Sequence, residues 1–130
     1  MADAAPTVLL VEDEASIRMV AERMLEMAGF RIVACASGED AIDVARSPAN
    51  RFDVLLTDVG LDGVSGREVA EAVRAARPQV GVVLMSGYPA DVVLGPGVVE
   101  GARFLAKPYT RRELVAAVEA ALGWGTPGNG

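Results

Sequence analysis

Five side chains with useful chemistry each follow an apolar run of the kind that forms a buried strand. Glu12 and Asp13 come after one run and Asp58 comes after another. Ser86 and Lys107 close two later runs. If the runs are parallel strands, all five side chains lie at one edge of the sheet, where the carboxyl ends meet.

These residue types suit phosphoryl transfer. Grouped carboxylates raise one another's pKa values unless a cation offsets their charge, and oxygen ligands without His or Cys favour Mg²⁺. An aspartate such as Asp58 can accept a phosphoryl group covalently while the metal neutralises charge. Ser86 could donate a hydrogen bond to a phosphoryl oxygen, and Lys107 offers a positive charge. Pro108 constrains the backbone after Lys107 and is a candidate for a cis bond.

Composition narrows the function further. The 130 residues are 52% hydrophobic with a net charge of −6, which favours one folded domain and disfavours direct nucleic-acid binding. The absence of histidine excludes a Ser-His-Asp triad, a His-ligated zinc site and a phosphohistidine carrier. The single cysteine, Cys35, excludes an internal disulfide, and we expect it to be a small buried hydrophobe. Without an apolar run of membrane length or a signal peptide, we expect a cytoplasmic protein.

Strand-like and helix-like segments alternate about five times. We expect strands at residues 7–11, 31–36, 52–57, 80–85 and 102–106. We expect helices at residues 14–28, 37–46, 65–77 and 110–122, with a short or irregular helix within 90–101. This alternation predicts an α/β fold, a parallel sheet covered by helices on both faces.

Residues with special backbone or capping roles punctuate these helices. Three pairs resemble capping boxes, and two glycines stand where a helix ends: Ser37 with Asp40, Ser65 with Glu68, Thr110 with Glu113, Gly29 and Gly123. On the first helix, apolar residues recur on one face: Ile17, Val20, Ala21, Met24, Leu25 and Ala28.

Four motifs carry a resemblance to the receiver domains of response regulators in bacterial two-component systems. They are VLLVEDE (8–14), DVLLTDVGLDGVSG (53–66), VVLMSGY (82–88) and FLAKPY (104–109). The resemblance covers residues 7–122 and implies a single flavodoxin-like (βα)5 domain, a doubly wound parallel sheet of strand order 2-1-3-4-5. We expect flexible tails at residues 1–6 and 123–130. The motifs are similar to receivers of hybrid histidine kinases, and a single-domain response regulator is the other context.

The resemblance also assigns the acceptor and the metal ligands. Asp58 would be the phosphoacceptor. Asp13, Asp58 and the backbone carbonyl of Gly60 would bind Mg²⁺ directly, and Glu12 would act mainly through water.

The remaining roles concern the response to phosphorylation. Ser86 would move toward the phosphoryl group, Lys107 would pair with it, and Phe104 would turn inward. The face formed by the fourth helix, the fifth strand and the last helix would then change and control a downstream protein partner. The phosphoryl donor would be a histidine kinase or a histidine phosphotransfer protein. The domain would act only on itself, without nucleic acid or membrane, and a weak homodimer is compatible with the family.

Three positions depart from the usual pattern and leave the phosphoryl lifetime open. Asp62 stands where the family commonly has proline and adds a carboxylate near the site. Gly60 has no side chain that could position or block an attacking water. Tyr88, two residues after Ser86, could shield the phosphoryl group instead.

Structural roles compete with these assignments. Glu12 and Asp13 could cap the first helix, Ser86 could be a turn hydroxyl, and Phe104 could be a static core residue. Lys107 could be a surface lysine. We expect the following residues to be exposed to solvent without a role in the site: Asp53, Asp62, Arg111 and Arg112.

Three other functions also compete. A haloacid-dehalogenase-type phosphatase would need an aspartate where Gly60 stands, and would turn over phosphate esters. A flavin or nucleotide module would need a glycine-rich loop after the first strand, which is missing. An interaction domain that has lost phosphorylation would not be labelled by acetyl phosphate.

Overall fold

The computed structural model describes residues 5–88 and 99–123. Five parallel strands form one sheet in the order β2-β1-β3-β4-β5, as the resemblance implied. The strands are β1 (Thr7–Val11), β2 (Arg31–Cys35), β3 (Val54–Asp58), β4 (Gly81–Ser86) and β5 (Arg103–Ala106). The helices in the described residues are α1 (Ala15–Met27), α2 (Gly38–Arg46), α3 (Gly66–Ala76) and α4 (Arg111–Ala121). Of the helix expected within 90–101, only residues 99–101 are described, and most of both expected tails lies outside the described residues.

Capping interactions fix where the helices begin. The Ser65 Oγ atom accepts a hydrogen bond from the Glu68 N–H, and the Glu68 carboxylate accepts one from the Ser65 N–H. The pair Thr110 and Glu113 at α4 forms the same reciprocal box. At α2 only half of the predicted box forms, because the aspartate at its third position is one methylene shorter than glutamate.

The three central strands β1, β3 and β4 are buried on both faces, which explains why they are almost continuously apolar. In β1, Leu9 and Val11 pack in the cluster under α2 and α3, while Val8 and Leu10 pack in the cluster under α1 and α4. Full burial of each such side chain contributes about 1.5–3 kcal/mol. Because helices cover both faces, the strand ends are where polar side chains can gather.

One face of α1 differs from a simple core-facing pattern. The helix buries Ala21 and Leu25, but Ile17 is 39% and Val20 is 54% exposed. The exposed pair lines an apolar groove of about 520 Å³, which we call the α1 groove. Its other walls are formed by Ser16, Met24, Lys107, Pro108 and Tyr109. The helical period places Ile17, Val20 and Met24 on one side of α1, but it does not show whether another element covers that side.

Within the two described ranges, no helix combines the length and the apolar character that crossing a membrane requires.

Candidate functional site

The carboxyl ends of the neighbouring strands β1 and β3 bring three carboxylates together. Glu12, Asp13 and Asp58 each offer one oxygen, and these oxygens lie within 4.8 Å of one another. Glu12 is 1% exposed, and the side chain of Asp58 is 13% exposed. Like charges this close in a partly buried site repel, so the cluster attracts a cation.

Lys107 supplies one positive charge to this cluster. Its Nζ atom lies 3.1 Å from Glu12 Oε1 and 3.3 Å from Asp58 Oδ1. Burial by itself lowers the pKa of Lys107, but the charge of Asp58 and the hydrogen bond that Lys107 donates to Glu12 outweigh burial and raise that pKa above its ordinary value. The lysine is therefore protonated and offsets part of the repulsion. The bond that follows it, Lys107–Pro108, is cis.

Both carboxylate oxygens and both backbone polar groups of Glu12 have hydrogen-bond partners. Its Oε2 atom accepts from the Glu14 N–H at 3.2 Å, but Glu14 is the N-cap residue of α1 and that helix has no side-chain capping hydrogen bond, so the capping alternative is wrong. Its backbone N–H donates to the Cys35 carbonyl, and its own carbonyl accepts from Arg18 Nη1 at 2.8 Å. Sequence reasoning missed Arg18, because a helix pattern does not show which strand end an arginine reaches.

Asp13 is hydrogen-bonded to the loop that follows β3. Its Oδ2 atom accepts a hydrogen bond from the backbone N–H of Asp62 at 3.1 Å. Asp62 is an exposed loop residue, as expected, and its backbone amide also contacts the cluster. In the same loop Gly60 is exposed, and a Cβ there would have no neighbour within 4 Å.

Gly66 is a second feature that the sequence reasoning missed. It begins α3 directly beside Asp58, and its N–H donates to the Val59 carbonyl at 3.0 Å. A Cβ at this position would clash with the backbone oxygen of Asp58. Only glycine therefore lets α3 start so close to Asp58.

Ser86 lies on β4, the strand next to β3. It is 4% exposed and stands one residue beyond Met85, the register partner of Asp58. Its Oγ atom accepts from the Tyr88 N–H at 2.9 Å, and its carbonyl accepts from the Lys107 N–H. The hydroxyl proton of Ser86 can therefore be donated elsewhere.

The two aromatic residues that were singled out from the sequence have different environments. Phe104 on β5 is partly buried and packs against the cluster under α2 and α3. The side chain of Tyr88 is 72% exposed.

Cys35 ends β2 beside the cluster and is buried, as expected. Burial, and then the charge of Asp40, raise the pKa of its thiol. Asp53 lies at the other end of the sheet, where the strands begin, and its carboxylate accepts from the Thr7 N–H at 2.9 Å.

The donor set fits Mg²⁺. The clustered ligands are carboxylate oxygens, which a hard cation prefers, and Lys107 offsets only part of their negative charge. A divalent ion would offset the remaining negative charge when a phosphoryl group, which is itself negative, approaches.

Comparisons with known proteins agree with this arrangement. The sequence profile of the response regulator receiver domain family matches residues 8–119. The sensor kinase CckA of Brucella abortus is 30% identical over 125 residues, which cover 89% of this chain and 12% of the kinase. The chain spans about half the length of the transcriptional and cell-cycle regulators that it also matches.

Solved structures give the same result. The response regulator receiver protein of Sinorhizobium medicae is similar with a TM-score of 0.85 and 33% identity, over 92% of this chain and 95% of that one. The receiver domain of the sensor histidine kinase PA1611 of Pseudomonas aeruginosa has a TM-score of 0.79 and 27% identity, over 92% of this chain and 99% of that one. That structure has a magnesium ion coordinated in its active site cleft. The profile match and the shared fold show that this chain belongs to the response regulator receiver domains, the signalling domains of two-component systems.

Proposed function

We propose that this domain accepts a phosphoryl group on Asp58 from a phosphohistidine of a histidine kinase or a histidine phosphotransfer protein. The observation that carries the proposal is the cleft in which Lys107 pairs with both Asp58 and Glu12, with Asp13 beside them. An oxygen of Asp58 forms the new bond to phosphorus as the phosphorus–nitrogen bond of the donor breaks. The electron pair of that bond stays on the donor imidazole, which takes up a proton.

Asp13, Asp58 and the carbonyl of Gly60 would hold Mg²⁺, with Glu12 acting mainly through water. The ion would supply charge neutralisation when the phosphoryl group approaches the carboxylates. Glu12 is fixed by its contacts with Lys107 and the Glu14 amide, so it keeps negative charge at the back of the cleft.

The chain's own residues would stabilise the phosphorylated state. Lys107 is protonated and lies within reach of Asp58, so it can pair with a phosphoryl oxygen. The Ser86 Oγ atom already accepts a hydrogen bond from the Tyr88 N–H, and its hydroxyl hydrogen can be donated in a hydrogen bond to a phosphoryl oxygen. Phe104 would turn inward as Ser86 moves. These contacts would differ between the unphosphorylated and the phosphorylated conformation. Phosphorylation would therefore shift the population toward the conformation in which the face that includes β5 and α4 is changed.

This change would control binding of a downstream protein, whose identity the proposal leaves open. The domain would span residues 7–122 and catalyse only its own phosphorylation and dephosphorylation. It would act in the cytoplasm without direct contact to nucleic acid or membrane, and any homodimer would be weak.

The α1 groove supports a protein donor over a small-molecule donor. Lys107 lines both the groove and the cleft, so an apolar surface adjoins the acceptor site. Val20→Asp should slow transfer from a phosphorylated histidine phosphotransfer protein at least tenfold and leave labelling by acetyl phosphate unchanged. Equal loss with both donors would show that the substitution damages the cleft, and equal retention would show that the groove does not bind the donor.

The central test is incubation with Mg²⁺ and acetyl phosphate, followed by measurement of the intact mass. We expect one added phosphoryl group in the parent and none in Asp58→Asn. Asp53→Asn, at the other end of the sheet, is the matched control and should be labelled like the parent. An unlabelled parent, or a labelled Asp58→Asn variant, would overturn the proposal.

A further inference from the structure

The backbone amide of Asp62 joins the two loops that carry the proposed metal ligands. It donates to Asp13 Oδ2 at 3.1 Å, and Asp13 belongs to the loop between β1 and α1. Asp62 itself belongs to the loop between β3 and α3, two residues after Gly60 and four after Asp58. The bond therefore links residues 49 positions apart in the sequence.

This contact depends on an N–H group and not on the aspartate side chain. Asp62 does not belong to the carboxylate cluster found in the described residues, which contains Glu12, Asp13 and Asp58. Any residue other than proline could donate the same hydrogen bond, because proline alone lacks the N–H. The contact is thus available in this chain because position 62 is not proline.

The contact still leaves Asp13 with oxygen lone pairs that can bind a cation. A carboxylate has about four lone-pair sites on its two oxygens, so Oδ2 can accept the amide while the other oxygen binds a cation. A hydrogen bond to the charged form stabilises the carboxylate beside Glu12 and Asp58. It also reduces the rotation that Asp13 would lose when it binds a metal.

We propose that the Asp62 amide is a positioning group that preorganises the Mg²⁺ site by holding the Asp13 carboxylate against the loop after the acceptor. The inference rests on the proposed magnesium-dependent function. In this proposal the backbone N–H of Asp62 positions the Asp13 carboxylate, and the Asp62 carboxylate does not contribute. Mg²⁺ affinity of the unphosphorylated domain is therefore the quantity that reports it.

The test is calorimetric titration of the metal-free domain with MgCl₂. Asp62→Pro removes the N–H and should weaken Mg²⁺ binding about tenfold, the effect of losing one charge-assisted hydrogen bond. Asp62→Ala keeps the N–H and removes the carboxylate, so its affinity should stay within about threefold of the parent at 0.15 M salt, where exposed charges are screened. A circular dichroism melt checks that each variant is folded.

A second variant separates the lost N–H from the restricted backbone of proline. Replacing the Leu61–Asp62 amide by an ester removes only the N–H, and it should weaken Mg²⁺ binding as Asp62→Pro does. Parent-like affinity in the ester variant would overturn the inference, as would an equal loss in Asp62→Ala. A parent that binds no Mg²⁺ would instead overturn the metal-dependent part of the proposed function.

Discussion

The charged groups at the two ends of the sheet differ in how fully they are paired. At the amino end, Arg77 donates to three backbone carbonyls at 2.7–3.1 Å and stacks on Phe52 at 4.7 Å, and the Asp53 carboxylate accepts the Thr7 amide. At the carboxyl end, Lys107 faces the cluster of Glu12, Asp13 and Asp58, where negative charge is in excess. Charge that is matched by partners stabilises the fold, whereas unmatched charge is available to bind something else. This contrast marks the carboxyl end as the functional end.

The largest expected effect comes from a pair of glycines, one at each end. A Cβ on Gly66 would clash with the Asp58 carbonyl oxygen, and a Cβ on Gly81 would clash with the Ala121 carbonyl oxygen. Each alanine variant should lose ~3 kcal/mol of unfolding free energy, because backbone cannot move aside cheaply. Only Gly66→Ala should also slow acetyl phosphate labelling, since it displaces the acceptor. Chemical denaturation and labelling rates measure the two effects, and slow labelling of folded Gly81→Ala would contradict the division between the ends.

Arg77→Ala tests the matched end directly. It should cost about 2 kcal/mol of unfolding free energy, because three carbonyls lose their donor and the contact with Phe52 is lost. Arg77→Lys keeps the charge but not the planar fork, so it should recover only part of this loss. Urea denaturation measures the difference. Labelling of Asp58 by acetyl phosphate should stay at the parent rate in both variants, and a change there would show that the two ends are coupled.

Isosteric removal of one carboxylate charge should change stability at the carboxyl end of the sheet and hardly at all at the amino end. Asp13→Asn keeps an acceptor for the Asp62 amide and removes a like charge from the cluster, so it should stabilise the metal-free domain by ~1 kcal/mol. Asp53→Asn keeps an acceptor for the Thr7 amide outside any such cluster, so its effect should stay within ~0.5 kcal/mol. Thermal melts without and with Mg²⁺ measure both. The ion should raise the melting temperature of the parent and of Asp53→Asn, and much less that of Asp13→Asn. A destabilised metal-free Asp13→Asn would mean that the cluster is not under repulsion.

The smallest effect concerns Cys35, which lies at the carboxyl end of β2 but belongs to the core. Burial keeps its thiol pKa high and its sulfur inaccessible, so a thiol reagent at neutral pH should not label the folded domain measurably. The same protein unfolded in guanidinium is the control and should react completely. Rapid labelling of the folded form would show that the carboxyl end is more open than the buried strand ends indicate.

Most of the fold could be predicted from local patterns. The strand that begins at Thr7 was predicted to the residue, and the capping boxes at Ser65 and Thr110 form as expected, because these signals act within a few residues. Gly29 and Gly123 follow helices with positive φ angles of 99° and 83°, as their positions suggested. The positions of the five site residues at strand ends were also readable, because parallel strands place their carboxyl ends at one edge.

The sequence by itself therefore determined which residue types are present, where strands and helices alternate, and which side chains follow each strand. Only the tertiary structure decided which partners those side chains meet: the Asp62 amide on Asp13, the Arg18 guanidinium on the Glu12 carbonyl, and Arg77 on three carbonyls. It also decided that Ile17 and Val20 line a groove and do not lie in the core. These contacts join segments far apart in the chain or depend on how neighbouring elements pack, so no local periodicity encodes them.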